Sequence, residues 1–472
     1  MAYYEVPKEY YFRIHHPRPR FKGDIENVLI YLASEITLIG RKKVNEFKSD
    51  LDFSIKKYPG NLTKKQKTID NWRTEIDALF SFVVKEGDYL KPSNRAIELA
   101  TNQDLVKFFK LFCYHFQYPG GFVKPHVNLM YIKEKINFRP ASYILKMLSS
   151  AETEYGKRAG ITKSEATHCI FNDLRVSRDN RSCEETWELI SSNRRKKVEY
   201  DWTGDVIRYA GDILDYLTQG NLLVKRPDGK YYINTVESLA IQRFINSTDF
   251  FDYYSYIQNP YEVNLDEVKT IDQDWIKYFN TEREEGFFDT DILALVSESS
   301  NEYNQLRNMF DIERVIEEGG MDTTGGIGSV GESLILNHEK IRIEHEGRSD
   351  LKHLIKLIPS TYAVGYDINS REVDETHKFI EVKTTKSSTE IDFMRFHLTP
   401  NEWSAAETHS DRYFVYRLLV TKGRIKLIIL KDPVGEYKRG NLSATPRNGM
   451  DIIFNPEVTG IEKELLIQKD GA

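Results

Sequence analysis

Cysteine is nearly absent. Cys113, Cys169 and Cys183 are the only three in 472 residues, which gives neither a disulfide framework nor a closed zinc site. They read as idle thiols in a reducing cytoplasm. No apolar run approaches the roughly 18 residues of a membrane span. The opening MAYYEVPKEYYFRIHHPRPR lacks a signal-peptide core. A GxxxxGK(S/T) phosphate loop is missing too, which argues against an autonomous ATP-driven translocase; a helicase as a separate partner stays open. An overall basic charge is also missing, the net value being −6.

What is present marks a folded, multidomain chain. A length of 472 residues exceeds one ordinary core, so two or three domains are expected. Hydrophobic residues at 40% and charged residues at 29% exclude a disordered chain. The net charge hides patches. Residues 1–72 hold 14 Lys or Arg against 9 Asp or Glu, a formal +5. Residues 251–320 hold 5 against 17, a formal −12. A basic groove for nucleic acid is therefore compatible with an acidic total.

Residues 1–125 are expected to form a first DNA-binding domain. Asp24 to Ile39 is apolar enough for a helix, and a hydrophilic run follows. After Pro59-Gly60-Asn61, Thr63 and Gln66 have capping-box spacing. Ile69, Trp72, Ile76, Leu79 and Phe80 then share one helical face. Lys64, Lys65 and Lys67 sit at that helix start, a poor place for cations unless phosphate is near. A turn at Glu86-Gly87-Asp88 precedes Lys91, Asn94 and Arg95 as candidate tip residues. Helix, hairpin and basic tip outline a winged helix.

Residues 126–250 are expected to hold a second such domain. Before it, still in the first domain, Asn102 to Phe116 predicts a helix; within it the stretch after Arg139 predicts another. Thr162 and Glu165 form another capping box beside Lys163, with Ala166, Ile170 and Leu174 facing inward. RSCEETWELISSNRRKK is amphipathic and ends in the basic run Arg194 to Lys197, with Arg194 and Arg195 as candidate DNA contacts and ordinary C-terminal capping as the equal alternative. A helix from about Thr203 to Leu217, closed by Gly220, precedes a hairpin around Pro227-Asp228-Gly229. Its tip carries Lys225, Arg226 and Lys230. Residues 251–319 read as an acidic, Tyr-rich connector in which Leu293, Leu295 and Val296 form a buried piece. Gly319-Gly320 and Thr323 to Gly326 mark a flexible boundary.

The chemistry lies in residues 320–472. AVGYDI and KFIEVKTT are strand-like runs joined by a polar segment, Asn369 to His377. Asp367 ends the first strand. Glu381 and Lys383 are two apart on the second, so they share a face while Val382 points into a core. Two neighbouring carboxylates repel unless a cation sits between them. Mg²⁺ favours carboxylate oxygens, waters and phosphate, and can polarise a phosphodiester. A lysine beside it can orient water or offset developing charge.

These residues and their surroundings resemble a known family. GxxGE at Gly328 to Glu332, GYDI at Gly365 to Ile368, FIEVKTT at Phe379 to Thr385, FHLTPNEWSAA at Phe396 to Ala406 and YFVYRLL at Tyr413 to Leu419 stand in its order. The region resembles the PD-(D/E)xK, restriction-endonuclease-like nucleases, and more closely the domain at the C-terminus of NO VEIN proteins and in bacterial restriction and defence proteins. The resemblance implies that Asp367 and Glu381 are metal ligands, that Lys383 is the catalytic lysine and that Glu332 is the helix acid assisting the metal site. The Pro of the superfamily name is replaced before Asp367 by Tyr366. FHLTPNE has no derived catalytic role; Thr399 reads as a helix start that Asn401 and Glu402 cap.

The expectation is thus a mainly α-helical, winged-helix N-terminal region followed by an α/β (α+β) restriction-endonuclease-like domain with a central mixed β-sheet. The implied function is a bacterial, cytoplasmic, sequence-specific double-stranded DNA endonuclease of a restriction–modification system, using Mg²⁺ and acting as a homodimer through its nuclease domain. The rivals are a modification-dependent or phage-defence nuclease and a DNA-binding module with an inactive nuclease fold.

Overall fold

Apolar residues spaced three or four apart dictate the helices of the first half. Ile25–Ile39 is a helix buried along most of its length. The hydrophilic run after it is also a helix, Val44–Lys57, because Phe47, Leu51 and Ile55 recur every fourth position and are buried. Its polar majority is the solvent face. The computed structural model describes the chain apart from residues 1–2, 16–18, 157, 203–205, 258, 260, 285, 311–327 and 468–472. The expected helix start at Thr203 and the glycine-rich boundary at Gly319–Gly320 and Thr323–Gly326 lie outside the described residues.

Two compact units emerge: residues 1–97 with 106–282, and residues 98–105 with 283–472. The expected boundaries near 125 and 250 both fall inside the first unit, and 251–319 is divided between the two. In the first unit, the helix Gln66–Thr74 leads to the antiparallel hairpin Val83–Glu86 and Tyr89–Pro92. A second hairpin, Leu223–Lys225 with Tyr231–Ile233, lies between the helices Val206–Gln219 and Ser238–Asn246. The expected capping box at Thr162–Glu165 forms, and Ser182–Glu185 makes a further one. The one expected at Thr63 does not. Helix begins at Gln66 with no side-chain cap, and the Gln66 amide bonds Asp52 and Asp70 instead.

Aromatic rings fill this unit. Phe112 meets Phe80, Tyr216 and Phe279 at centroid separations of 5.5, 5.2 and 5.6 Å, distances typical of favourable ring pairs. Phe279 ends the helix Leu265–Phe279, in which Val268 and Trp275 are also buried. That stretch is therefore more than an acidic connector: Asp266 and Glu267 face water, while Asp272 on the same helix turns inward to Asn128 and Tyr254. The helix Ile292–Val296, also buried, belongs to the second unit.

The second unit holds a six-stranded mixed sheet. Its strands are β1 Lys356–Leu357, β2 Ile368–Arg371, β3 His377–Lys386, β5 Tyr413–Thr421, β6 Arg424–Lys431 and β9 Ile461–Lys463, in the order β9-β6-β5-β3-β2-β1. β3 and β5 run parallel; the other pairs are antiparallel. A three-stranded sheet comprises β4 Arg395–Leu398, β7 Leu442–Pro446 and β8 Met450–Phe454. Helix α1 spans Gly328–His345 and α2 spans Pro400–His409. Phe379, Tyr413 and Val415 from the large sheet, Phe396 and Ile452 from the small one, and Ala405 of α2 form one core.

Two strand details differ from expectation. AVGYDI reads as a strand ending at Asp367, whereas the strand starts at Ile368 and runs into the presumed joint. Ala363 at φ +49° and Gly365 at φ +81° bend the chain out of extended conformation just upstream, so pairing begins only at Ile368 opposite Ile380. Val382 is half-buried rather than enclosed.

Candidate active site

Alternation along β3 puts Glu381 and Lys383 on one face, as the spacing predicts. Parallel pairing with β5 sets Glu381 opposite Val415 and Lys383 opposite Arg417. Asp367 stands just before β2. Its N–H donates to the Ile380 carbonyl at 2.9 Å, and its carboxylate accepts the Val382 N–H at 2.7 Å. The short hairpin thus fastens one acid to the strand that bears the other.

Two glycines permit the approach of the remaining parts. A Cβ on Gly331 would lie 2.6 Å from the Thr384 hydroxyl, so only glycine lets α1 settle on β3 there. Glu332 follows it. A Cβ on Gly365 would lie 2.4 Å from the Asn401 carbonyl, so the loop before Asp367 presses on the start of α2. The Tyr413 hydroxyl ties down this loop by donating to the Gly365 carbonyl at 2.8 Å.

The residue that sequence reasoning underrated is Glu402. Thr399 and Glu402 make a complete capping box at the start of α2, as TPNE indicates. The same carboxylate also takes a hydrogen bond from Lys383 Nζ at 2.7 Å. Lys383 Nζ lies 2.8 Å from Glu381 as well. The spacing of the capping motif was legible, but its second partner came from a strand 19 residues away.

The electrostatics are those of a crowded acidic pocket. Burial, then repulsion from Glu381, lifts the Glu332 carboxyl to about 7 against the pull of Lys383. Burial and the charge of Glu332 lift Asp367 to about 7, with Lys383 and the Val382 N–H opposing. Burial likewise pushes Glu381 well above the usual carboxylate range. Lys383 is desolvated, yet Glu381 and Glu402 outweigh that and keep it above the ordinary lysine value. Glu402 feels burial too, but Lys383 and its capping bonds hold it low. One ammonium faces four carboxyls, so Lys383 stays charged and the excess protons are shared among Glu332, Asp367 and Glu381.

Among the described residues, no three His, Cys, Asp or Glu side chains stand so as to hold a metal ion by themselves. Mg²⁺ does not require one, since it keeps several waters and takes one or two carboxylates. Buried, mutually repelling carboxyls fit such an ion in chemical type, and Asp367, Glu381 and Glu332 are the groups available to hold it.

The basic residues separate into two groups. Lys64, Lys65, Lys67, Arg195, Lys225 and Arg226 are exposed, with Lys91 and Lys230 half-buried. Lys91 pairs with Glu86 at 3.0 Å. Arg226 lies over the Tyr232 ring. Three others are engaged internally. Arg95, expected at an exposed tip, is buried and donates to the Phe279 carbonyl; it is a core guanidinium. Arg194 bonds Glu165 at 2.7 Å and the Gly160 carbonyl at 2.6 Å. Lys163 pairs with Asp215 at 2.9 Å. No described helix is long and apolar enough to cross a membrane.

Comparison with known proteins adds a family to this geometry. Residues 331–430, which contain Glu332, Asp367, Glu381, Lys383 and Glu402, match the family model of the protein NO VEIN C-terminal domain. Among curated proteins none matches the chain. A solved structure of the BpuJ1 endonuclease binding domain, crystallised with pyrene- and phenanthrene-modified DNA, is 24% identical. The likeness covers 59% of this chain and 100% of that one with a TM-score of 0.51, which establishes a shared fold. Residues 4–276 match the model described as restriction endonuclease BpuJI, N terminal, and with more than half of its length so matched, the chain belongs to that family.

Proposed function

We propose that this chain is a sequence-specific, Mg²⁺-dependent double-stranded DNA endonuclease of a restriction–modification system, its first unit reading DNA and its second cutting it. The observation that carries this reading is Lys383 held between Glu381 and Glu402, with Asp367 and Glu332 crowded on the same point, in a chain whose larger part belongs to a restriction endonuclease family. Asp367 and Glu381 would hold the cation, with Glu332 assisting. Bound there, Mg²⁺ supplies a Lewis acid for the phosphodiester. Lys383 orients the attacking water and offsets charge growing on the phosphorane oxygens. Glu402 keeps Lys383 protonated and aimed. The exposed Lys64, Lys65, Lys67, Lys225 and Arg226 contact phosphates. Cutting both strands takes two such centres, so two chains act together.

The test is incubation of the pure protein with unmodified and methylated plasmid, in Mg²⁺ and in EDTA, with the ends mapped. Discrete, metal-dependent fragments from unmodified DNA are expected. Fragments from methylated DNA alone would shift the assignment to a modification-dependent nuclease. Asp367→Ala and Lys383→Ala should each lower cleavage by roughly 10²–10³-fold or more while gel-shift binding persists. Full cutting by Asp367→Ala would remove Asp367 from the centre.

A further inference from the structure

A short piece from the first quarter of the chain is built into the second unit beside this centre. Residues 98–105 belong to the nuclease-bearing unit, whereas 97 and 106 belong to the other. The Gln103 carbonyl accepts the Lys386 N–H at 3.0 Å. Its side-chain oxygen accepts the Thr385 hydroxyl at 2.7 Å and Arg417 Nη2 at 2.8 Å, while its amide donates to the Arg395 carbonyl at 2.8 Å. Asp104 pairs with Lys386 at 3.2 Å and accepts the Thr290 hydroxyl at 2.7 Å. Gln103, Thr385 and Arg417 are 3%, 1% and 1% exposed. Gln103 sits at φ +49°, a conformation that a non-glycine residue keeps only when its surroundings dictate it.

The place of this knot decides what it does. Arg417 is the register partner of Lys383 on β5, and Thr385 is the next residue on the same face of β3. Among the described residues Arg417 makes no ion pair, and burial pulls its guanidinium down to about 9. A buried cation without a carboxylate depends heavily on its neutral acceptors, and Gln103 is one of the two that Arg417 has here. We propose that Gln103 is a positioning residue of the nuclease centre: by accepting from both Thr385 and Arg417, which also bond each other at 3.0 Å, it braces the β3–β5 pair from which Lys383 projects. This rests on the nuclease reading above for its catalytic half, and on geometry alone for its structural half.

Gln103→Met keeps the bulk and removes the hydrogen bonds; Gln103→Glu keeps the acceptor atoms. Cleavage kinetics, hydrogen exchange of the peptide spanning 381–387, and melting are measured on full-length protein. The Met variant should lose tenfold or more in kcat with KM unchanged, and exchange at 384–386 should quicken at least tenfold. The Glu variant keeps the Thr385 and Arg417 bonds but loses the donor to the Arg395 carbonyl, so it should recover most, not all, of the kcat that the Met variant loses and slow exchange again. If Gln103→Met does not fold, Thr385→Val, which removes one leg of the same knot, takes its place with the same expectations. Wild-type kcat in Gln103→Met, or in Thr385→Val where it takes its place, overturns the positioning role. If the wild-type protein does not cut DNA with Mg²⁺, the nuclease reading fails, and exchange still decides whether Gln103 holds the strand: unchanged exchange overturns it.

Discussion

At the scale of the residue, the acids of the centre make a pH signature. Asp367 and Glu332, lifted to about 7 by burial and by neighbouring carboxylates, bind more protons folded than unfolded. A carboxyl whose folded value is raised contributes stability at acid pH. That contribution is lost as pH climbs from the free-carboxyl range, near 4, through 7. The metal-free protein should therefore lose stability to urea across that window. Asp367→Asn should flatten the slope, and Mg²⁺ should restore the loss most strongly above pH 7, where the ion need not displace protons. A stability that rises from pH 5 to 7 without metal would contradict the assignment. Lys383 does not titrate in this range, since Glu381 and Glu402 hold it above its ordinary value.

At the scale of the element, α2 is both a support and an arm of the site. Thr399→Ala removes the cap and costs about 1 kcal/mol of stability. It also removes the hydroxyl oxygen that accepts the Glu402 N–H at 3.4 Å, loosening the turn from which Glu402 reaches Lys383. Cleavage should therefore fall further than the melting shift alone explains, and Thr399→Ser should recover both. Gly331→Val forces α1 off Thr384, 2.6 Å from where a Cβ would stand, and should destabilise the second unit by about 1–3 kcal/mol, read by urea unfolding. Much of this was legible in the sequence, because period two along FIEVKTT fixes the face of Glu381 and Lys383 whatever surrounds it. Thr399 and Glu402 were legible as a cap for the same local reason. Non-local choices were not. Arg95 and Arg194 look like exposed cations in sequence, and only the packing of Phe279 and Glu165 from distant segments turns them inward. The strand start at Ile368 depends on positive φ angles at Ala363 and Gly365, and alanine does not announce that conformation.

At the scale of the molecule, the two units are not two lengths of chain. The path passes from one unit to the other at residues 97–98, 105–106 and 282–283. Residues 283–472 expressed alone should fold poorly, because Lys386 loses Asp104 and Arg417 loses Gln103. Leaving buried charges unpaired costs on the order of 3–5 kcal/mol, and urea unfolding against the full chain reads the deficit. A fragment as resistant as its counterpart in the whole protein would show that the insertion adds nothing to stability. The same threading constrains recombination. Joining a foreign N-terminal part to residues 283–472 at one crossover would also bring in a foreign segment in place of residues 98–105, and with it any mismatch to Thr385, Lys386 and Arg417. On the proposed reading, substitution within the first unit leaves residues 98–105 and their partners untouched, which a trade of whole halves does not.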